Sequence, residues 1–288
     1  MPIKIETDEE YHGGEGVSKS RLFKAMNKSP FHARYGKNEE KPQFAIGKAA
    51  HIAILEPERL EGSVMCGPKD RRGNDWKTAL AEATHYGKIL LTEGDYQQAM
   101  LIRDLANTIP ELDWLRSDPD HVTETSAYHV DEETGLLLKT RVDFYSPRER
   151  LILDIKNMAD ASPEAFRRDT AKFGYHMQDT LYSDIWAKGS GYEVDAFLFL
   201  VFEKCEPPTF ALYELTPSSK AEGHELYRNG VKLWAKCEAE NNFPAYGEGV
   251  KKLNLRRYDY KFTPPPADMT DGEQEDFDDD QEGEDNGE

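Results

Sequence analysis

The feature that most constrains this chain is DAFLFLVFEK, residues 195–204. An almost unbroken apolar run of this length reads as a strand buried on both faces, at the centre of a sheet with helices above and below it. Glu206-Pro207-Pro208 turns the chain into TFALYELT, a second strand, and a long helix follows over about 218–241. Helix signals are plentiful before it. Ser18 or Ser20 opens a helix through Leu22, Phe23 and Met26, and Ser29-Pro30 breaks it. Further helices are expected over about 44–55, 76–86 and 93–107. Ser162-Pro163-Glu164 starts another, and one more runs from about Tyr175 to Lys188 with Gly189 as its C-cap. The expected fold class is α/β, a central mixed β-sheet flanked by helices.

The strand pattern is clearest in LLLKTRVDFYS, the turn PRER and LILDIKN. Strand side chains alternate, so Leu138, Thr140, Val142 and Phe144 share one face, and Arg141, Asp143 and Tyr145 the other. On the next strand Asp154 and Lys156 emerge side by side, opposite Leu151, Leu153 and Ile155. Asp143 can lie near Asp154 across the ladder. Two carboxylates and an ammonium then meet on one face of a hairpin. Such oxygen ligands suit Mg²⁺ or Mn²⁺, and a nearby lysine can orient an attacking water or offset phosphate charge. A D-x-K triplet is common on surfaces, but charges at the end of a central strand are costly unless they work.

Other residues fit the same chemistry. His51 sits in AIGKAAHIAIL, four residues after Gly47, which is expected to let its helix approach a neighbour closely. Imidazole is a possible metal ligand, although a lone histidine is more often structural. Gln178 and Tyr182 are four apart and share a helix face. Lys69, Arg71, Arg72 and Lys77 surround Trp76 in GPKDRRGNDWKT, a loop suited to gripping phosphate and stacking on a base. The plainer reading is a solvated loop with Trp76 packed inward.

These segments resemble, in order, the RecE-type (exonuclease VIII) domain of the PD-(D/E)xK nuclease superfamily: VSKSRLFKAMNKSPFHARY, GKAAHIAILEPE, DRRGNDWK, RVDF, LILDIKN, ASPEAF, YHMQDTLY and FLVFEK. The resemblance covers roughly residues 10–240. It implies that His51, Asp143, Asp154 and the backbone carbonyl of Ile155 bind metal, Mg²⁺ with Mn²⁺ able to substitute. It also implies that Lys156 is the catalytic lysine, with Gln178 and Tyr182 as the family's QxxxY pair. The implied activity is 5′-to-3′ digestion of double-stranded DNA ends by a homo-oligomeric ring, tetramer favoured over trimer, beside a single-strand annealing protein in a phage or prophage setting.

Net charge, −19, at first opposes a nucleic-acid partner. Twelve acidic residues and no Lys or Arg lie between Asp268 and Glu288, and without them the excess falls to seven. Metal ions and local basic clusters then suffice to attract phosphate. No apolar run of about 18 residues exists, so no membrane association is expected. Three widely spaced cysteines lack metal-ligand spacing and suit a reduced cytoplasmic setting. They also argue against the iron–sulfur members of the superfamily, which need four. The expected organisation is a flexible N-terminus over 1–17, a nuclease domain over 18–262 and a disordered acidic tail over 263–288. A PD-(D/E)xK endonuclease and a non-catalytic DNA-end-binding recombination scaffold are the competing readings.

Overall fold

A computed structural model describes residues 3–36, 43–247 and 249–252. The chain divides into two units, 1–246 and 247–288. The expected acidic tail lies outside the described residues.

In chain order the strands are β1 (Lys4–Ile5), β2 (Val17–Ser18), β3 (Val64–Cys66), β4 (Ile89–Leu91), β5 (Val122–Val130), β6 (Leu137–Ser146), β7 (Leu151–Met158), β8 (Ala196–Glu203) and β9 (Thr209–Glu214). The helices are α1 (Asp8–Gly13), α2 (Lys19–Asn27), α3 (Pro30–Tyr35), α4 (Gln43–Leu55), α5 (Leu60–Ser63), α6 (Asn74–His85), α7 (Glu93–Ala106), α8 (Pro110–Arg116), α9 (Pro163–Phe173), α10 (Tyr175–Ser190) and α11 (Pro217–Ala239). The main sheet runs β1-β5-β6-β7-β8-β9, with β2 pairing beside β6. β5, β6 and β7 form an antiparallel meander. The α9–α10 crossover makes β8 parallel to β7, and β9 returns antiparallel. The expected α/β class, a mixed sheet flanked by helices, is the observed one.

The apolar run behaves as its composition demands. Leu200 and Phe202 pack toward α4 and α7 with Phe144, Leu153 and Ile155. Phe197, Phe199 and Val201 pack toward α9 and α10 with Tyr145, Ile152, Phe166 and Trp186. A strand covered on both faces can hold few polar groups, so the site residues gather where pairing loosens.

That place is Asp143. The recorded β6–β7 pairs end at Phe144–Leu153, one step short of Asp143 and Asp154. Val142 feeds the α9–α10 side and Phe144 the α4–α7 side, so the single face expected for 138–144 breaks at Asp143. In β5, Glu124 takes φ 43° in the middle of the strand, a conformation costly for a residue with a Cβ. The freed backbone N–H of Ile155 donates to the Asp143 carboxylate at 2.7 Å.

Several local readings need correction. Residues 3–17, within the expected N-terminal segment 1–17, include β1, α1 and the start of β2, and Thr7 and Glu10 form a reciprocal capping box on α1. Ser29-Pro30 ends α2 but also starts α3, since the Ser29 hydroxyl accepts from the His32 N–H. Gly189 is inside α10, where a Cβ would stand 2.7 Å from the Tyr128 carbonyl oxygen; the cap is Gly191 at φ 81°. A Cβ on Gly47 would meet open space among the described residues, so this glycine makes no close helix contact there.

Candidate active site

Each side chain is positioned by a different part of the fold. His51 comes from α4, Glu124 from β5, Asp143 from β6, Asp154 and Lys156 from β7, and Gln178 and Tyr182 from α10. β5 and β6 pair in continuous register on both sides of Glu124 and Asp143, which puts these two opposite one another. The His51 Nδ1 lies 3.2 Å from a Glu124 oxygen and 3.8 Å from Asp143. One ligand atom from each of His51, Glu124 and Asp143 falls within 4.8 Å of the others.

The second half of the site is buried deeper. Lys156 and Gln178 both hydrogen-bond Asp154, one on each carboxylate oxygen. The Lys156 Nζ also sits 4.9 Å above the Tyr175 ring. Tyr182 is half-buried on the same helix face as Gln178, packed between the two clusters that α10 covers. The structure therefore brings His51, Asp143, Asp154, Lys156, Gln178 and Tyr182 together, with Ile155 tied to Asp143 through its N–H. Glu124 joins them without having been anticipated. No local motif marks it, and only the β5–β6 register could have found it.

The electrostatics suit a cation. Burial and the neighbouring Asp143 push the Asp154 carboxyl up to about 6, against the pull of Lys156. Burial and Glu124 likewise raise Asp143, against His51 and Lys156. Burial alone would lower His51, but Asp143 and Glu124 outweigh it and hold the imidazolium up to about 9. Burial would also lower Lys156, yet Asp154 and Asp143 keep its ammonium above the usual lysine range. Burial and the Asp154 and Asp143 charges drive the Tyr182 phenol well above its usual range, so it stays protonated. Carboxylates whose pKa values rise because they crowd one another are stabilised by a positive ion. Two carboxylates and one imidazole form a donor set that fits a divalent cation.

The basic loop behaves differently. Lys69 pairs with Glu93 at 3.8 Å, Arg71 with Asp95 at 2.7 Å and Arg72 with Asp70 at 3.4 Å. Trp76 is half-buried, with the Arg71 guanidinium over its ring, and Lys77 is exposed. No recorded hydrogen bond or ion pair links this loop to the carboxylate cluster among the described residues. Its charge is largely spent within its own neighbourhood.

The three cysteines are free thiols, in line with their spacing. Among the described residues no helix is long and apolar enough to cross a membrane.

Comparison with known proteins agrees with the geometry. The structure is similar to a "Putative exonuclease" from Eubacterium rectale, with a TM-score of 0.56 and 16% identity over 87% of this chain and 96% of that one. A phage-related exonuclease from Haemophilus somnus matches more distantly, with a TM-score of 0.33 and 13% identity over 80% of this chain and 99% of that one. No curated protein matches the sequence. Residues 18–255 match the family described as a PDDEXK-like domain of unknown function (DUF3799). The chain belongs to this PDDEXK-like family.

Proposed function

We propose that the protein is a divalent-metal-dependent DNA nuclease, and that it digests linear duplex DNA from its ends. The observation that carries this reading is the convergence of His51, Glu124, Asp143, Asp154, Lys156 and Gln178 where β6 and β7 separate. Surface ion pairs do not gather this much buried charge.

His51, Glu124 and Asp143 would hold the cation, with Asp154 and the Ile155 carbonyl as further ligands. Each Asp154 oxygen keeps a lone pair for this while bonded to Lys156 or Gln178. Mg²⁺, or Mn²⁺ in its place, supplies charge neutralisation at the phosphodiester and a more acidic water. Lys156 remains an ammonium, so its role is to bind and orient the phosphate oxygens and the attacking water rather than to take a proton. Gln178 fixes the Asp154 carboxylate, and the protonated Tyr182 hydroxyl is available to donate to a phosphate oxygen.

The finer reading is a RecE-type exonuclease that works 5′ to 3′ and leaves single strands for recombination by annealing. Motif order supports it, and the name of the Eubacterium rectale structure is in keeping with exonuclease action, without reaching the RecE type or the polarity. A homo-oligomeric ring, tetramer before trimer, and a single-strand annealing protein partner in a phage or prophage setting of a bacterial cytoplasm belong to the same proposal. Linear and covalently closed circular duplex incubated with Mg²⁺ provide the test. Degradation of the linear form alone is the expected result. Cutting of both would mean an endonuclease, and cutting of neither a DNA-end-binding scaffold.

A further inference from the structure

Charge is distributed unevenly in this acidic chain. Residues 16–36 contain no Asp or Glu, yet carry Lys19, Arg21, Lys24, Lys28 and Arg34. They form α2 and α3. Among the described residues none of these five cations pairs with a carboxylate. Arg21 lies over the Trp234 ring at 5.8 Å and Arg34 over Phe243 at 5.2 Å. Lys19 donates to the Phe173 carbonyl at 2.5 Å. The rings hold Arg21 and Arg34 in place without cancelling their charge, while burial pushes the Lys19 ammonium down to about 7. The basic loop around Trp76 is the reverse case, with three of its four cations matched to acids.

The same surface exposes aromatic rings. Phe31 is 45% and Tyr35 60% exposed, with ring centroids 5.1 Å apart. Exposed rings among unneutralised cations form a platform for unpaired bases beside a groove for their phosphates. The surface also connects to the site. Lys19 begins α2, and its Nζ is 5.7 Å from the Tyr175 ring that Lys156 approaches from 4.9 Å. At about 1.5 Å per residue, the nine residues of α2 span roughly 13 Å from Lys19.

We propose that the α2–α3 surface is a single-stranded DNA track: Lys24, Lys28 and Arg34 hold the phosphates, Phe31 and Tyr35 stack on the bases, and Lys19 marks the end beside Lys156. This inference rests on the nuclease reading for its context but not for its test. Ion pairing with phosphates releases counterions, so each contact leaves a signature in the salt dependence of binding.

The experiment measures anisotropy of a labelled oligothymidine with the full chain in EDTA, where no cleavage occurs, between about 50 and 200 mM salt. Lys28→Glu/Arg34→Glu is expected to flatten the log–log salt slope by about 1.4, roughly 0.7 per lost phosphate contact. Both residues are exposed, so folding should survive, and Lys28→Gln/Arg34→Gln provides a milder version. Tyr35→Ala is expected to weaken single-strand binding about tenfold and to leave binding of an equal-length blunt duplex unchanged. Arg167→Glu/Arg168→Glu makes the same charge change on exposed residues of α9 and should leave the slope alone. An unchanged slope in the α2–α3 variants, or an equal flattening in the α9 control, overturns the proposal even if Mg²⁺-dependent cleavage is observed. A flattened slope confined to α2–α3 supports it even if the wild type never cuts DNA, in which case only the nuclease reading falls.

Discussion

The two halves of the candidate active site are built on opposite terms. His51, Glu124 and Asp143 form an open half: Glu124 is 41% exposed, the two carboxylates share the imidazole, and further countercharge comes from Arg141 against Glu124 at 3.3 Å and from Lys156 towards Asp143. Asp154, Lys156 and Gln178 form a closed half in which the Asp154 side chain is 3% exposed and both of its oxygens are already bonded. The difference separates two tasks. The open half must take up an ion from solvent, so it keeps charge unspent. The closed half must hold its geometry before the ion arrives, and its neutralised charges keep it rigid without one.

Asp143 joins the halves, so its removal should break the comparison outright. Asp143→Asn keeps an oxygen for the Ile155 N–H but loses the shared charge. Cleavage should fall roughly a thousandfold or more with the far-ultraviolet circular dichroism unchanged. Glu124→Gln touches only the open half. It should raise the metal concentration for half-maximal activity by roughly 10–100-fold, read by Mn²⁺ titration, while activity at saturating metal remains. Equal loss at saturating metal would show that the halves do not divide the work as described.

The pH response sharpens the same division. The His51 pKa is raised in the folded state, from about 6.5 to about 9. The stabilisation it brings to the metal-free protein is therefore complete below pH 6.5 and lost as pH climbs through 9. In EDTA, the Tm of His51→Gln relative to the wild type should be higher at pH 9 than at pH 6, a difference that cancels the other titrating groups. Metal binding competes with the same proton, so affinity should rise over the interval where stability falls. The smallest effect falls on the frame of the closed half. A Cβ on Gly223 would collide with the His176 backbone of α10. Gly223→Ala should cost about 1–3 kcal/mol in urea unfolding and loosen Gln178 against Asp154, with metal affinity little changed.

The sequence showed the parts of this architecture that depend on local pattern. The run at 195–204, the alternation through β6 and β7, the D…DxK spacing and the i, i+4 pair on α10 are visible because strand and helix periods print directly into residue order. Glu124 was not visible, because it acquires its role only through the β5–β6 register and a positive φ in mid-strand. The basic loop at 69–77 shows the same limit of local pattern. Its neutralising partners Glu93 and Asp95 lie on α7, and a composition reading sees the cations without them. The α2–α3 segment holds five cations and no acids, but a local pattern shows it only as a helix, a break and part of the family resemblance. Within residues 1–17 the glycines and charges hide a capped helix, α1, whose Asp8 pairs with Arg141 and Lys48.

One measurement bears most directly on the central claim. Acid-soluble nucleotide release from linear duplex DNA is followed with Mg²⁺ and with EDTA, for the wild type and Lys156→Ala. The account predicts release by the wild type with Mg²⁺ only, and none above background by the folded variant under either condition. Equal release by both proteins, or release that persists in EDTA, would contradict a metal-dependent nuclease built around Lys156.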